Sequence, residues 1–345
     1  VEDKVKELVC SYKSLYKALQ VSKRNVMWKD STAGFAHNAL LSIYNLRKSL
    51  FKDSYKIDDY TIFTIYEPKK RLIVSTRLKD RVFQRSLCDN YFYHELTKTF
   101  IYDNCACQVG KGTDFALNRL STHLHRFNRK YNCDGYVLKC DIKDYFGSTR
   151  HDVAKAAIAK RIKNEWALGH INAIIDSFNQ GEDPEKGMGL GSQVTQLIQL
   201  AVLNDLDHFI KEKLKIKYYV RYMDDFILVH PDKVYLVYCK DMIQQYLESI
   251  GLRLNTKKTQ VFKTTQPIHF LGFSFYLTQT GKVVRKILSK RISHERRKLR
   301  KQVERAKEGL MTRESVDACF ESWKAHAQRG NCYYLIQRME KDSNS

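Results

Sequence analysis

Two adjacent carboxylates, Asp224 and Asp225, stand between apolar runs in KYYVRYMDDFILVH, residues 217–230. Tyr218-Tyr219-Val220 leads in and Phe226-Ile227-Leu228-Val229 leads out, so both flanks read as buried β-strand with the acidic pair at a hairpin tip. Like charges that close repel, and each raises the other's pKa unless a cation sits between them. A third carboxylate, Asp141, lies near the end of the short apolar strand GYVLKCDIKDYF. If these strands are neighbours in one sheet, three carboxylates converge at one edge. Such a cluster is costly unless cations fill it. Two Mg²⁺ ions held roughly 3.5–4 Å apart would neutralise it and clamp an in-line phosphoryl transfer, with Mn²⁺ able to substitute. One ion would activate an attacking 3′-hydroxyl; the other would hold a triphosphate and stabilise leaving pyrophosphate.

The elements that must position these residues follow in order. Residues 1–60 read as largely helical. YTIFTIYEPKKRLIVSTRL alternates about Glu67-Pro68-Lys69-Lys70, a hairpin with a basic tip. KDRVFQRSLCDNYFYHEL has helical periodicity, and Gly110-Lys111-Gly112-Thr113 turns into the helix DFALNRLSTHLHRFNRKY. The glycine-rich loop NQGEDPEKGMGLGSQ opens the apolar helix VTQLIQLAVLNDLDHFI, and IHFLGFSFYL reads as a strand pair. From Lys282 the chain turns strongly basic and is expected to finish as helices. Between Lys282 and Lys307, twelve Lys and Arg face two Glu. That load covers more than one helix face and suits a grip on duplex phosphates without sequence readout. No repeat or low-complexity linker separates these parts, which together imply one continuous α+β body with a basic helical appendage.

Composition agrees with this chemistry. The 345 residues carry a net charge of +22, from 60 Lys and Arg against 38 Asp and Glu, with 21 Tyr and 17 Phe. Excess positive charge with aromatics suits a phosphate backbone and exposed bases. No run of eighteen apolar residues appears, which argues against a membrane span. The charged amphipathic N-terminus lacks the apolar core of a secretion signal. Nine scattered cysteines include one close pair, Cys105 and Cys107, without a matching zinc-spaced pair. Reduced thiols and a cytoplasmic location are the expectation.

Taken in order, LKCDIKDYF, GLGSQVTQ, RYMDDF, LRLNTKKT and HFLGF resemble palm motifs A to E of reverse transcriptases. EPKKRLIVSTRLKDR resembles their fingers, and CFESWKAHAQRGNCYYL is similar to the helical thumb of group II intron and related bacterial retroelement enzymes. The resemblance covers roughly residues 60 to 340. It implies a right-hand polymerase: an N-terminal helical extension (1–60), fingers (61–135), a palm with an antiparallel sheet (136–281) and a helical thumb (282–345).

It also implies roles residue by residue. Asp141, Asp224 and Asp225 become metal ligands, with the Ile142 carbonyl completing a site. Lys258 stands where the family has a lysine suited to protonating pyrophosphate. Lys69 and Arg71 would hold the triphosphate. Tyr145 or Phe146, with Tyr145 preferred, would be the aromatic gate that excludes a 2′-hydroxyl. Lys290, Arg291, Arg296, Arg297, Arg300 and Lys301 would hold the template–product duplex. His151, Trp323 and His326 fit family positions with structural roles.

Motif B departs from the Gln-Gly-x-x-x-Ser-Pro of group II intron and retron enzymes. Leu190-Gly191-Ser192-Gln193-Val194-Thr195-Gln196 is close to the form typical of diversity-generating retroelements, with Thr for Ser. Gly191 would let backbone approach nucleotide or template, and Gln196 places an amide where Pro offers neither donor nor acceptor. The resemblance therefore implies error-prone copying of a template RNA into cDNA from dNTPs, with a small basic accessory protein and a structured retroelement RNA as partners. A group II intron-like or antiphage-defence reverse transcriptase is the near alternative, and a non-catalytic RNA-binding polymerase scaffold the distant one. Tyr-Met-Asp-Asp in place of Gly-Asp-Asp disfavours an RNA-templated RNA polymerase. No segment resembles an HNH endonuclease or RNase H, so cleavage of DNA or template by this sequence is not expected.

Overall fold

A computed structural model describes residues 2–66, 70–179 and 183–344. In chain order the helices α1 (Glu2–Val9), α2 (Tyr12–Ser22), α3 (Asp30–His37) and α4 (Ala39–Phe51) precede the strands β1 (Thr61–Ile65) and β2 (Arg71–Ser75). Helices α5 (Leu78–Leu87), α6 (Tyr93–Thr97) and α7 (Thr113–Tyr131) lead to β3 (Tyr136–Asp141). Then come α8 (Tyr145–Ser148), α9 (His151–Ala159), α10 (Glu165–Asp176), α11 (Gln193–Val202) and α12 (Asn204–His208). The hairpin β4 (Tyr218–Tyr222) and β5 (Asp225–His230) is followed by α13 (Lys233–Ser249). Strands β6 (Gln260–Lys263), β7 (Ile268–Phe270), β8 (Phe273–Leu277) and β9 (Val283–Ile287) precede α14 (Ser289–Lys307), α15 (Arg313–Ala327) and α16 (Tyr333–Asn344). Among the described residues, no helix is long and apolar enough to cross a membrane. All nine cysteines are free thiols.

The chain forms two compact units, each assembled from separate stretches of sequence. The first comprises residues 1–108, 142–214 and 242–255. It is mainly helical and contains the antiparallel pair β1–β2, in which Ile65 faces Arg71. The break between α1 and α2 is a capped restart: Ser11 Oγ accepts from Ser14 N at 3.1 Å, satisfying one orphan donor of α2. The interior of this unit includes a cluster in which Phe83 meets Tyr55, Trp166 and His170 edge-on. Asp80 is buried beside it, and its carboxylate accepts from Tyr55 Oη at 2.5 Å and Asp58 N at 3.0 Å. Those bonds make the burial tolerable.

The second unit comprises residues 109–141, 215–241 and 256–345. Its larger sheet is antiparallel in the order β4-β5-β3-β6. Helix α7 packs on β4, where Tyr218 meets His123 and Phe127 edge-on. The alternation of β3 turns Val137, Lys139 and Asp141 to one face and Tyr136, Leu138 and Cys140 to the other. A smaller antiparallel sheet runs β7-β8-β9. Helices α14, α15 and α16 enclose their own core of Leu299, Val303, Val316, Phe320 and Met339, with Trp323 and Leu335 packed against it.

One expectation is corrected here. The basic stretch from Lys282 does not begin as helix: Val283–Ile287 is strand β9, paired along β8, and helix starts only at Ser289. Val283, Val284 and Ile287 are β-branched, and Ile287 buries its side chain against the small sheet. Partner strand and packing outweigh the charges at Arg285 and Lys286.

Candidate active site

In the ladder between β3 and β5, Asp141 and Asp225 are direct cross-strand partners. Tyr222 pairs with Asp225 across the β4–β5 hairpin, leaving Met223 and Asp224 as its two-residue turn. Met223 takes a φ of +56°, a left-handed conformation that costs roughly 1–2 kcal/mol in a residue with a Cβ. The buried Arg221 steadies this turn by donating from Nη1 to the Met223 carbonyl at 3.0 Å. Two strands and one tight turn thus carry all three acidic residues to one end of one sheet. The sequence expectation for Asp141, Asp224 and Asp225 as neighbours agrees with this register.

Lysines answer the carboxylates. Lys258 Nζ lies 2.9 Å from each oxygen of Asp141. Lys139 Nζ sits 3.7 Å from Asp225 Oδ2 and donates to the His269 carbonyl at 2.6 Å. Burial pushes the Asp225 carboxyl up to about 6; Lys139 and Lys258 oppose the rise, and the charges of Asp224 and Asp141 add to it. Asp225 Oδ1 is buried without a hydrogen-bond partner. Among the described residues, no group of three or more His, Cys, Asp or Glu side chains is gathered closely enough to hold a metal ion. The Lys258 ammonium engages both oxygens of Asp141. The chemistry of the donors nonetheless suits a divalent cation: Asp141 and Asp225 are cross-strand partners with Asp224 beside them, and Asp225 keeps one buried oxygen without a hydrogen-bond partner.

The other predicted nucleotide contacts lie in the first unit. Ile142 is buried, and its backbone bridges to Leu254 while Lys143 N donates to Arg253 O at 2.9 Å. Tyr145 is also buried, and its hydroxyl donates to the Gln199 carbonyl at 2.5 Å. Phe146, by contrast, is half-buried. Gly191 has a φ of +126°, which favours glycine, and the neighbouring Leu190 carbonyl accepts from Val74 N of β2 at 3.2 Å. Thr195 Oγ1, in the first turn of α11, shares its proton between the Gly189 and Ser192 carbonyls, each at 2.9 Å. Ser192 Oγ caps α11 and donates to Gln84 at 2.8 Å. Gln196 is exposed, and its Oε1 accepts from Cys107 Sγ at 3.5 Å. Arg71 is exposed at the start of β2, whereas Lys69 lies outside the described residues.

Residues 66–275 match the family Reverse transcriptase (RNA-dependent DNA polymerase). The chain belongs to that family. No curated protein matches it. Among solved structures it is similar to telomerase from Candida albicans in complex with a TWJ fragment of telomeric RNA. That likeness has 15% identity and a TM-score of 0.53, covering 68% of this chain and 46% of the telomerase. The apo telomerase from Candida tropicalis gives 14% identity and a TM-score of 0.50, covering 66% and 47%. The chain spans about half the length of these telomerases, and at such identities the likeness speaks for the reverse transcriptase fold.

Within this family member the expected duplex-binding cations sit on α14. Lys290, Arg291, Arg297, Arg300 and Lys301 are exposed, whereas Arg296 is partly buried in an ion pair with Asp342 of α16 at 3.1 Å. His326 packs its ring 5.1 Å from Phe273, and His151 Nε2 meets the Gly187 carbonyl at 2.9 Å, both structural placements. Sequence reasoning missed Lys139. Its signal was present: a lysine two positions before Asp141 on an otherwise apolar strand must share that residue's face.

Proposed function

We propose that this reverse transcriptase family member is an RNA-directed DNA polymerase that extends a primer on an RNA template. Residues 61–135 would act as fingers, 136–281 as palm and 282–345 as thumb, with 1–60 as a helical extension. One observation carries the reading: Asp141 faces Asp225 across a β-ladder, with Asp224 in the adjoining turn. Asp141, Asp224 and Asp225 would hold two divalent cations, Mg²⁺ with Mn²⁺ able to replace it. Such ions supply activation of the primer hydroxyl and charge stabilisation at pyrophosphate when bound.

The chain's own residues supply the rest. Lys258 balances Asp141 in the free protein and carries a proton suited to the departing pyrophosphate. Arg71, with Lys69, would grip the triphosphate. Phe146 is assigned as the sugar gate in preference to Tyr145. A ring with its hydroxyl tied to Gln199 O and its surface buried is committed to the core, while Phe146 keeps part of its face open. The exposed cations of α14 would hold duplex phosphates.

The finer setting is error-prone cDNA synthesis in a diversity-generating retroelement, with a structured RNA and a small basic accessory protein. Its support is motif B, where Gly191 keeps a glycine conformation and Gln196 presents an exposed amide instead of proline.

Single-nucleotide extension on an RNA template tests the function. Wild type is expected to add dNTPs and discriminate against NTPs. Phe146→Ala should erode that discrimination by roughly 10-fold or more, equivalent to about 1.4 kcal/mol of lost exclusion. Tyr145→Phe should keep it while losing about 1 kcal/mol of stability with its hydrogen bond. A wild-type chain that adds no nucleotide under Mg²⁺ or Mn²⁺ overturns the reading.

A further inference from the structure

The two lysines at the carboxylates are held differently. Lys258 leaves 56% of its side chain exposed, so solvent can receive it when Asp141 is needed elsewhere. Lys139 leaves only 21% exposed and is anchored at both ends. Its Cα belongs to the central strand β3, between Ile227 of β5 and Gln260 of β6. Its ammonium donates to the His269 carbonyl of β7 at 2.6 Å, tying the larger sheet to the smaller one. From that fixed point it faces Asp225 Oδ2 at 3.7 Å across the diagonal of the ladder.

Asp225 therefore has its two oxygens in different situations. One faces an immobilised ammonium; the other, Oδ1, is buried and has no hydrogen-bond partner. A carboxylate with one oxygen drawn toward a fixed ammonium 3.7 Å away favours one setting of its terminal torsion, which is otherwise broad. The free oxygen then keeps one heading. His269, whose carbonyl anchors the lysine, is itself fixed by a 2.8 Å contact between its Nδ1 and Ser274 Oγ.

We propose that Lys139 is a positioning residue: it orients Asp225 so that Oδ1 is presented to a divalent cation. The inference rests on the polymerase reading for its purpose, but its physical content is metal binding by the free protein. It also makes a prediction opposite to simple electrostatics. Deleting a positive charge beside a cation site should tighten cation binding; deleting an orienting tether should weaken it.

The test titrates Mn²⁺ into full-length protein without nucleic acid, followed by electron paramagnetic resonance, for wild type, Lys139→Met and Lys139→Arg. Circular dichroism melts run in parallel, and single-nucleotide extension is scored on the same samples. Lys139→Met is expected to weaken Mn²⁺ binding roughly tenfold and to lower the maximal extension rate at unchanged primer–template affinity. Lys139→Arg, which keeps charge and donor, should return within about threefold of wild type. Unchanged or tighter Mn²⁺ binding by Lys139→Met overturns the proposal, as does a wild type that binds no Mn²⁺.

Should Lys139→Met fail to fold, Lys139→Arg carries the decision. Wild-type-like affinity supports positioning, and a loss as large as that of Asp225→Asn refutes it. If wild type binds Mn²⁺ yet adds no nucleotide, the polymerase reading falls while the titration still judges Lys139.

Discussion

The carboxylate end of the β4-β5-β3-β6 sheet and the basic face of α14 are both dense in charge, yet they are built on opposite terms. At the sheet, backbone register places Asp141 against Asp225, and lysines stand 2.9 and 3.7 Å from their oxygens. On α14 five of the six residues expected to meet the duplex are exposed, whereas Arg296 is half-buried in an ion pair with Asp342. The contrast separates two kinds of recognition. Chemistry on one atom needs groups whose positions are over-determined by neighbours. A grip on a repeating phosphate lattice needs charge and reach but little precision, because every phosphate is alike.

Substitutions should sort accordingly, beginning with the largest effect. Lys258→Met removes the ammonium at Asp141 and is expected to cut the rate of nucleotide addition roughly 100-fold or more, the usual contribution of a general acid. Duplex affinity should stay within about twofold, checked by parallel extension and binding assays. The complementary change, Arg297→Gln with Arg300→Gln and Lys301→Gln, should spare the rate at saturating duplex. The slope of log K against log salt for an RNA–DNA hybrid should flatten by up to about 0.9 for each phosphate that is no longer neutralised. An unchanged slope in that variant removes the duplex grip from α14. Smaller still, Arg296→Gln should change the slope less than Arg297→Gln, since Arg296 already pairs with Asp342; equal losses would erase the distinction.

A pH experiment sharpens the comparison from outside both regions. Asp80 and His170 both lie against the Tyr55–Phe83 cluster. Burial pushes Asp80 up to about 6 and His170 down to about 4. Between pH 4 and 6 the native state binds extra proton at Asp80, so acidification favours folding there. At His170 the unfolded state binds the extra proton, so stability falls as pH drops below about 6.5. The two effects oppose. In thermal melts from pH 7 to 4, Asp80→Asn should become more acid-sensitive than wild type and His170→Phe less so. Identical profiles for the two variants would contradict both assignments.

How much of this was legible in the sequence differs by residue. The carboxylate triad could be read because a strand hides little: apolar flanks imply burial, and alternation fixes which side chains share a face. The pairing of β1 with β2 and the β4–β5 hairpin were readable for the same reason, while Glu67, Pro68 and Lys69 of the expected basic tip lie outside the described residues. Strand β9 was not, because arginine and lysine between its valines matched the basic helix that follows, and only the partner strand β8 decides its state. Tyr145 was preferred over its neighbour Phe146 from the sequence, where nothing announces the long-range hydrogen bond from the Tyr145 hydroxyl to the Gln199 carbonyl. The Arg296–Asp342 pair joins separate helices, so no local pattern announces it. Lys139 was visible but unremarked, an ordinary polar residue until the His269 carbonyl gives it a fixed heading.

The central claim is that Asp141 and Asp224 act as one cation-holding unit, and a double-mutant cycle on the rate of single-nucleotide addition tests it most directly. Groups that function jointly lose their effect together. Asp141→Asn and Asp224→Asn should each reduce the rate roughly a thousandfold, the value of several kcal/mol of charge stabilisation, and the double variant should lose little more than either. Single variants that retain most of the wild-type rate, or losses that multiply in the double variant, would contradict the account.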